Sequence, residues 1–255
     1  MLRNINALWT SSSSIAILAG IFALFLVMGG VMRNGVDRQS RSSTPRIQNK
    51  THSFEVAQAT ANPGANGCIQ LSLRNGYRRP ITAYVVSANR LITIIDYLYS
   101  EGEDQRGIAP DAVHTTPVCV PKAIDPDIAA KEGRQIFVQA VVFDDGTGDG
   151  DPEFIADILN RRRGSKIQLT RIIGVVKRVL NSGNTLDDAA LEAFKSEISS
   201  LTTDSQASVA ESDSLRGQKD AALSLLDGLT HSGSRDVSET IIRFKEICES
   251  LAARL

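Results

Sequence analysis

The stretch IFVQAVVFDDGTGDGDPEF, residues 136–154, holds the transition on which the fold depends. Its first eight residues are apolar except for Gln139, which predicts a buried strand. The next part, DDGTGDGDPE at residues 144–153, supplies the glycine and aspartate that turns prefer. Asp151 is a good helix N-cap and Pro152 suits the first helical position. The chain is therefore predicted to pass from sheet to helix at this point.

The segment before this transition shows short strand patterns with no helical period between them. They are CIQLSL at 68–73, ITAYVV at 81–86, LITII at 91–95 and PVCVP at 117–121. Closely spaced strands without intervening helices are typical of an antiparallel sandwich. Residues 67–150 are therefore predicted to form a small antiparallel β-sandwich.

The segment after the transition has helical periodicity to its end. The first predicted helix stops at Arg161-Arg162-Arg163-Gly164, because basic residues followed by Gly are typical of a C-terminus. A second helix is predicted from Ser165 to about Leu180, followed by three more, which begin near Thr185, Leu215 and Asp236. Residues 151–255 are thus predicted to be a helical region, and the fold class is α+β.

The N-terminal part contains the run SIAILAGIFALFLVMGGVM, residues 14–32, which has no charged residue. At a rise of about 1.5 Å per residue its helix would be roughly 28 Å long, close to the hydrocarbon thickness of a bilayer. We therefore predict a short tail at 1–13, a transmembrane helix at 14–32 and a polar, flexible linker at 33–66.

Two alternatives concern this segment. A cleaved signal peptide normally ends in small residues of the A-x-A kind, and the sequence VMGGVMRNG that closes the run offers no such triplet, which favours an uncleaved anchor. The positive-inside rule would keep the body in the cytoplasm. Its basis is the five basic residues that follow the run: Arg33, Arg38, Arg41, Arg46 and Lys50.

Three elements of the middle of the chain carry a resemblance. They are Leu73-Arg74-Asn75, the run PITAY at 80–84, and AVVFDDGT at 140–147 followed by Gly150-Asp151. With the arginine run in the helix that follows, this part resembles a group of uncharacterised bacterial envelope proteins with an N-terminal signal or anchor. The resemblance implies an immunoglobulin-like sheet followed by helices, export from the cytoplasm and no known activity. It favours a membrane-anchored body on the extracytoplasmic side.

The acidic turn is the strongest candidate for a metal site. Calcium binds six to eight oxygen ligands, and Asp145, Asp149 and Asp151 could supply some of them. The spacing is not that of an EF-hand, so the alternative is a turn in which the aspartates fix the backbone and cap the helix. The turn interpretation is favoured, calcium is retained as the weaker hypothesis, and no other cofactor is indicated.

The three cysteines form no metal-type cluster. Cys68 and Cys119 are the candidates for a disulfide if the body lies in an oxidising compartment. Otherwise they are two small buried apolar residues, and the sequence leaves both open. Cys248 falls on the apolar stripe of the last helix and is interpreted as a core residue.

The remaining features bear on function. Basic and acidic residues number 28 and 29, which gives no global field that would attract nucleic acid. No catalytic motif and no small-molecule substrate are indicated, so we expect a structural or protein-interaction module of the cell envelope that is not an enzyme. The alternatives are a calcium-dependent or hydrolytic enzyme that uses the acidic turn with a residue such as His114, and a cytoplasm-facing regulator.

Overall fold

A computed structural model describes residues 46–61, 68–88, 91–99, 107–119, 135–183, 185–231 and 236–255. Its strands are β1 (Arg46–Asn49), β2 (Phe54–Ala61), β3 (Cys68–Asn75), β4 (Ile81–Ala88), β5 (Leu91–Asp96), β6 (Val113–Cys119), β7 (Gln135–Phe143) and β8 (Gly148–Gly150). A 3₁₀ turn follows β5 at Tyr97–Tyr99. The helices are α1 (Pro152–Asn181), α2 (Asp188–Ser199), α3 (Val209–His231) and α4 (Val237–Arg254).

The strands form two sheets. The larger has the order β1-β7-β4-β5, with β8 paired to β7, and the smaller has the order β2-β3-β6. Strand β1 runs parallel to β7, while the other pairs are antiparallel. Phe54, Leu71 and Leu73 of the smaller sheet pack with Tyr84 and Ile136 of the larger one in a shared core.

The second face of the larger sheet is covered by α1. Ala83 and Val85 of β4 and Ala140 and Val142 of β7 pack there against Ile158. Because β4 and β7 have a neighbour on both faces, nearly every residue along them is buried. The order of layers is therefore smaller sheet, larger sheet, then helix α1.

Helix α1 also belongs to a helical core with α2, α3 and α4. Leu169, Ile172, Val176, Leu226 and Ile241 are at most 1% exposed. The rings of Phe194 in α2 and Phe244 in α4 meet edge to face, with centroids 5.7 Å apart. A single helix of 30 residues thus serves both the sheet and the bundle.

The predicted immunoglobulin-like antiparallel sandwich is wrong. The larger sheet is mixed, because β1 pairs with β7 in parallel. Its outer face is buried under α1 rather than solvated, as one face of an antiparallel sheet commonly is. The continuous apolar pattern of β7 is consistent with this double burial, whereas a half-exposed strand would alternate.

The predicted transmembrane helix and the predicted linker are compared with the structure separately. No helix in the described ranges is long and apolar enough to cross a membrane. The transmembrane helix predicted at 14–32 lies outside the described residues. From Arg46 onwards, the segment predicted as a linker contributes β1 and β2 instead. Strand β2 was not predicted because its polar side chains lack an apolar strand pattern. They lie mostly on the exposed surface of the smaller sheet.

The helix break predicted at Arg161–Gly164 is also wrong, because α1 continues through it. Gly164 is buried where α1 crosses α3, and a Cβ atom there would lie 2.6 Å from the carbonyl oxygen of Glu211. The glycine is therefore needed for the close approach of two helices rather than for a helix end. At the N-terminus of α1 the Asp151 side chain accepts from the Glu153 amide, as an N-cap does.

Candidate functional site

Strand β5 is an outer strand of the larger sheet. It pairs with β4 on one side, and no other strand in the described ranges pairs with it. Leu91 and Ile92 at its start are 49% and 50% exposed. An edge with unpaired backbone groups and exposed apolar side chains is a template on which another strand can add. We define Leu91–Asp96 as the β5 edge.

The two ends of the β5 edge differ in burial. Ile94 packs into the core under α1, and Ile95 packs into the core between the sheets. The first three residues of the strand are exposed, whereas the last three are partly buried. The strand is thus held at its C-terminal end and presents apolar surface at its N-terminal end.

A buried ion pair fixes the C-terminal end of the β5 edge. Arg162 of α1 donates from Nε to Asp96 Oδ2 at 2.8 Å and from Nη2 to Asp96 Oδ1 at 3.0 Å. Its Nη2 also donates to the Thr82 hydroxyl at 3.0 Å. The side chains of Arg162 and Asp96 are 9% and 10% exposed. Two parallel bonds fix orientation as well as distance, so this pair sets the position of β5 against α1.

A chain of hydroxyl groups extends this attachment to α3. Tyr99, just after β5, donates to the Ser165 hydroxyl at 2.9 Å, which lies 2.7 Å from that of Ser214. Ser214 in turn donates to the carbonyl oxygen of Arg161 at 2.6 Å. Burial raises the pKa of Tyr99 above its ordinary value, although the bond to Ser165 opposes this shift. The hydroxyl therefore remains a donor throughout the physiological range.

The three aspartates of the proposed metal site have separate partners. Asp145 accepts from the amide and the hydroxyl of Thr147, at 3.0 and 2.6 Å. Asp151 caps α1 and lies 3.3 Å from the Lys50 ammonium nitrogen. Within the described residues no group of three or more metal-ligating side chains forms. Calcium binding stays a prediction, and the observed contacts are those of a turn and a helix cap.

Asp149 organises the loop between β1 and β2. Its Oδ2 accepts from the amides of His52 and Ser53, at 2.6 and 2.8 Å, and from the Ser53 hydroxyl at 2.6 Å. Its Oδ1 lies 3.2 Å from Nδ1 of His52. No sequence pattern pointed to these partners, since they lie nearly 100 positions away. His114, the histidine considered for this turn, instead packs against the rings of Tyr84 and Tyr97.

Replacement of Asp149 by Asn should destabilise the fold at neutral pH and less so in acid. Burial raises the pKa of Asp149, but bonds from Ser53 and His52 outweigh it and leave the pKa below the ordinary 3.8. A lowered pKa in the folded state gives stability above the unfolded value, which is lost as the pH falls through the folded value. We expect the free energy of unfolding at neutral pH to fall by about 2 kcal/mol, because hydrogen bonds to a charged group are lost. Urea unfolding measures this change.

The control for this prediction is Asp151→Asn in the same turn, which should change stability little, because Asn and Asp are similar N-caps. The difference in free energy of unfolding between Asp149→Asn and wild type should decrease once the pH falls below 3.8, the ordinary pKa of an aspartate. If the difference in free energy of unfolding were the same at neutral pH and below pH 3.8, the carboxylate charge would contribute nothing to stability.

A disulfide joins Cys68 to Cys119 across β3 and β6. The two residues face each other at the end of the β3–β6 pairing. Cys248 is a free thiol in the helical core, and burial raises its pKa to about 12. Its thiolate is therefore too rare at neutral pH to react.

Two features of the site were not predicted. Arg162 was interpreted with its neighbours as a basic helix end, yet it lies on the buried stripe of α1 with Ile158, Ser165 and Leu169. The spacing of four, three and four residues places it there, which was the available signal. The β5 edge could not be found, because strand order depends on pairings that a single sequence does not specify.

Comparisons of the chain with family models, with curated proteins and with solved structures gave no match.

Proposed function

We propose that this chain is a protein-binding module of the bacterial envelope that binds an extended segment of a partner protein along the β5 edge. The observation that carries the proposal is the combination of an outer strand and half-exposed Leu91 and Ile92. Backbone groups of the edge supply affinity for an added strand, and alternate side chains supply specificity. The role is binding, not catalysis.

The rigid attachment of β5 supports a binding role. Adding a strand costs less entropy when the receiving strand is already ordered. The Arg162–Asp96 pair and the Tyr99–Ser165 bond hold the end of β5 against α1. The partner is therefore expected to meet a preformed edge, with its own apolar side chains next to Leu91 and Ile92.

The disulfide supports an extracytoplasmic location. Such bonds persist in oxidising compartments and are rare in the cytosol. With the apolar segment at 14–32 as the attachment to the membrane, the body would face the periplasm or the outer surface. This favours the envelope module over a cytoplasm-facing regulator.

The contacts of Asp149 favour binding over hydrolysis. In a Ser-His-Asp triad the serine hydroxyl donates to the histidine, and the histidine donates to the aspartate. Here the Ser53 hydroxyl donates to Asp149, and the His52 ring lies against the other oxygen of the same carboxylate. Serine and histidine thus both use the carboxylate and form no pair with each other.

Photo-crosslinking in intact cells tests the proposal. A photoreactive amino acid at Ile92 should give one discrete adduct with a partner. The same residue at Val113, an exposed apolar position at the start of β6, is the matched control and should not give that adduct. The adduct at position 92 identifies the partner and the segment that lies against β5.

The identified segment should then bind the purified full chain. Ile92→Lys should weaken binding by at least about tenfold, because a lysine on an edge strand opposes strand addition. Val113→Lys should leave the dissociation constant unchanged. Equal crosslinking from both positions, or binding that does not depend on Ile92, would contradict the proposal.

A further inference from the structure

A cavity lies beside the C-terminal end of the β5 edge, since Leu98 and the Asp96-bonded Arg162 are among its lining residues. It has a volume of about 780 Å³, and its walls come from the start of β4, the turn after β5, the β7–β8 turn, α1 and the end of α4. Four cationic side chains line it: Arg162, Arg163, Lys166 and Arg254. Asp144 and Asp145 also line it. None of these basic residues is needed by the strand-binding role except Arg162.

The charges in this basic cavity are unequally paired. Asp144 and Asp145 lie 3.4 and 3.1 Å from the guanidinium of Arg79. Arg254 interacts with another group of the protein. Arg163 and Lys166 are exposed and form no ion pair with any described residue. They lie three positions apart on α1 and so share a face, where their like charges repel.

Arg162 contributes a third cationic side chain to the same cavity. Its Nε and Nη2 are used by Asp96 and Thr82. Its Nη1 forms no hydrogen bond within the described part of the chain, although the side chain is only 9% exposed. A guanidinium fixed in this way presents a donor at no further cost in side-chain entropy.

We propose that the basic cavity binds a phosphate ester, with Arg162 Nη1, Arg163 and Lys166 as the groups that contact the phosphate. A phosphate offers several strong acceptor oxygens and a negative charge, and so satisfies three separate donors better than a carboxylate does. The volume lies within the range of small-ligand sites and exceeds the needs of a bare phosphate. The ester could be a soluble molecule or a phospholipid headgroup.

This site shares Arg162 with the attachment of the β5 edge, but the variants that test the two proposals leave Arg162 unchanged. The groups that contact the phosphate lie on α1, whereas strand addition involves the backbone of β5. Failure of one proposal would therefore leave the other standing. Binding of a phospholipid headgroup would in addition bring the body against the membrane surface.

Titration of two probes into the full chain in a neutral maltoside detergent tests the proposal. The soluble probe is glycerol 3-phosphate, and the lipid probe is short-chain dihexanoyl phosphatidylglycerol. Binding of either supports the proposal, and the tighter probe identifies the source of the ester. Absence of binding for both would overturn it.

The variant for this test is Arg163→Gln with Lys166→Gln, which should raise the dissociation constant by at least about tenfold, because two charged contacts to the phosphate are lost. Both residues are exposed, so the fold should be unaffected, and circular dichroism checks this. The matched control is Arg216→Gln with Arg243→Gln, which removes the same charge from α3 and α4 outside the cavity. Equal weakening by both double variants would overturn the proposal, since it would indicate a general charge effect.

Discussion

Replacement of Arg162 by Met is expected to lower the free energy of unfolding by about 4 kcal/mol, because it leaves the buried Asp96 carboxylate without its partner. The two side chains are 9% and 10% exposed, so water cannot readily take the place of the guanidinium. For a chain of this size we expect a decrease of about 10 °C in the midpoint of thermal unfolding. Urea and thermal unfolding of the purified variant measure both quantities.

Two variants control this prediction. Arg161→Met removes the neighbouring ion pair with Asp157, whose side chains are 42% and 29% exposed, and should cost no more than about 0.5 kcal/mol. Asp96→Asn with Arg162→Met removes both charges while keeping the acceptor for the Leu98 amide. This double variant should be more stable than Arg162→Met alone. If Arg162→Met and Arg161→Met were equally stable, the buried pair would not fix β5 against α1.

Removal of the disulfide by Cys68→Ser with Cys119→Ser is expected to lower the free energy of unfolding by about 4 kcal/mol. The bridge spans 51 positions. On the chain-entropy model, releasing a loop of that length in the unfolded state costs this amount of stability. Unfolding in guanidinium chloride with and without reductant measures the effect.

The reductant itself supplies the control. It should bring the wild-type chain to the stability of the double Ser variant and should leave that variant unchanged. Cys248 does not complicate the comparison, since its thiol is buried in the helical core and has no partner cysteine. A wild-type chain that responds to reductant no more than the Ser variant does would contradict a bridge between β3 and β6.

The transition at 136–154 shows how far local physics determines the fold. The apolar run is β7, Asp151 caps α1 and Pro152 begins it, as N-cap preferences predict. The position of the last helix was predictable for the same reason, since Asp236 caps α4. These two helix starts depend on contacts between neighbours in sequence, and a single sequence contains those.

The features that the sequence did not reveal depend on distant contacts. Gly164 was interpreted as a helix terminator, but the structure shows that it allows α3 to pack closely against α1. Arg162 was interpreted as part of a solvated helix end, but it forms a buried ion pair with Asp96. Strand β1 is four residues long, and its parallel pairing with β7 joins positions about 90 residues apart. Such choices are set by tertiary packing, which overrides local pattern.

The candidate site illustrates the same limit. The residues of the β5 edge were read as a strand, and the structure places a strand at Leu91–Asp96. Its position at the outside of a sheet could not be predicted. Alternation of apolar residues indicates which face of a sheet a side chain lies on, but not which strands are paired. The composition of the acidic turn suggested a calcium site, whereas its carboxylates contact Ser53, Thr147 and Lys50.

The availability of the β5 edge is the central claim, and residue-resolved amide hydrogen exchange of the free full chain tests it most directly. Along an edge strand, successive amides alternate between the paired side and the open side. We expect alternate amides of Leu91–Asp96 to be protected by pairing with β4, while those between them exchange rapidly. Strong protection of all six amides would show that another part of the chain already pairs with this edge, and it would contradict the proposed function.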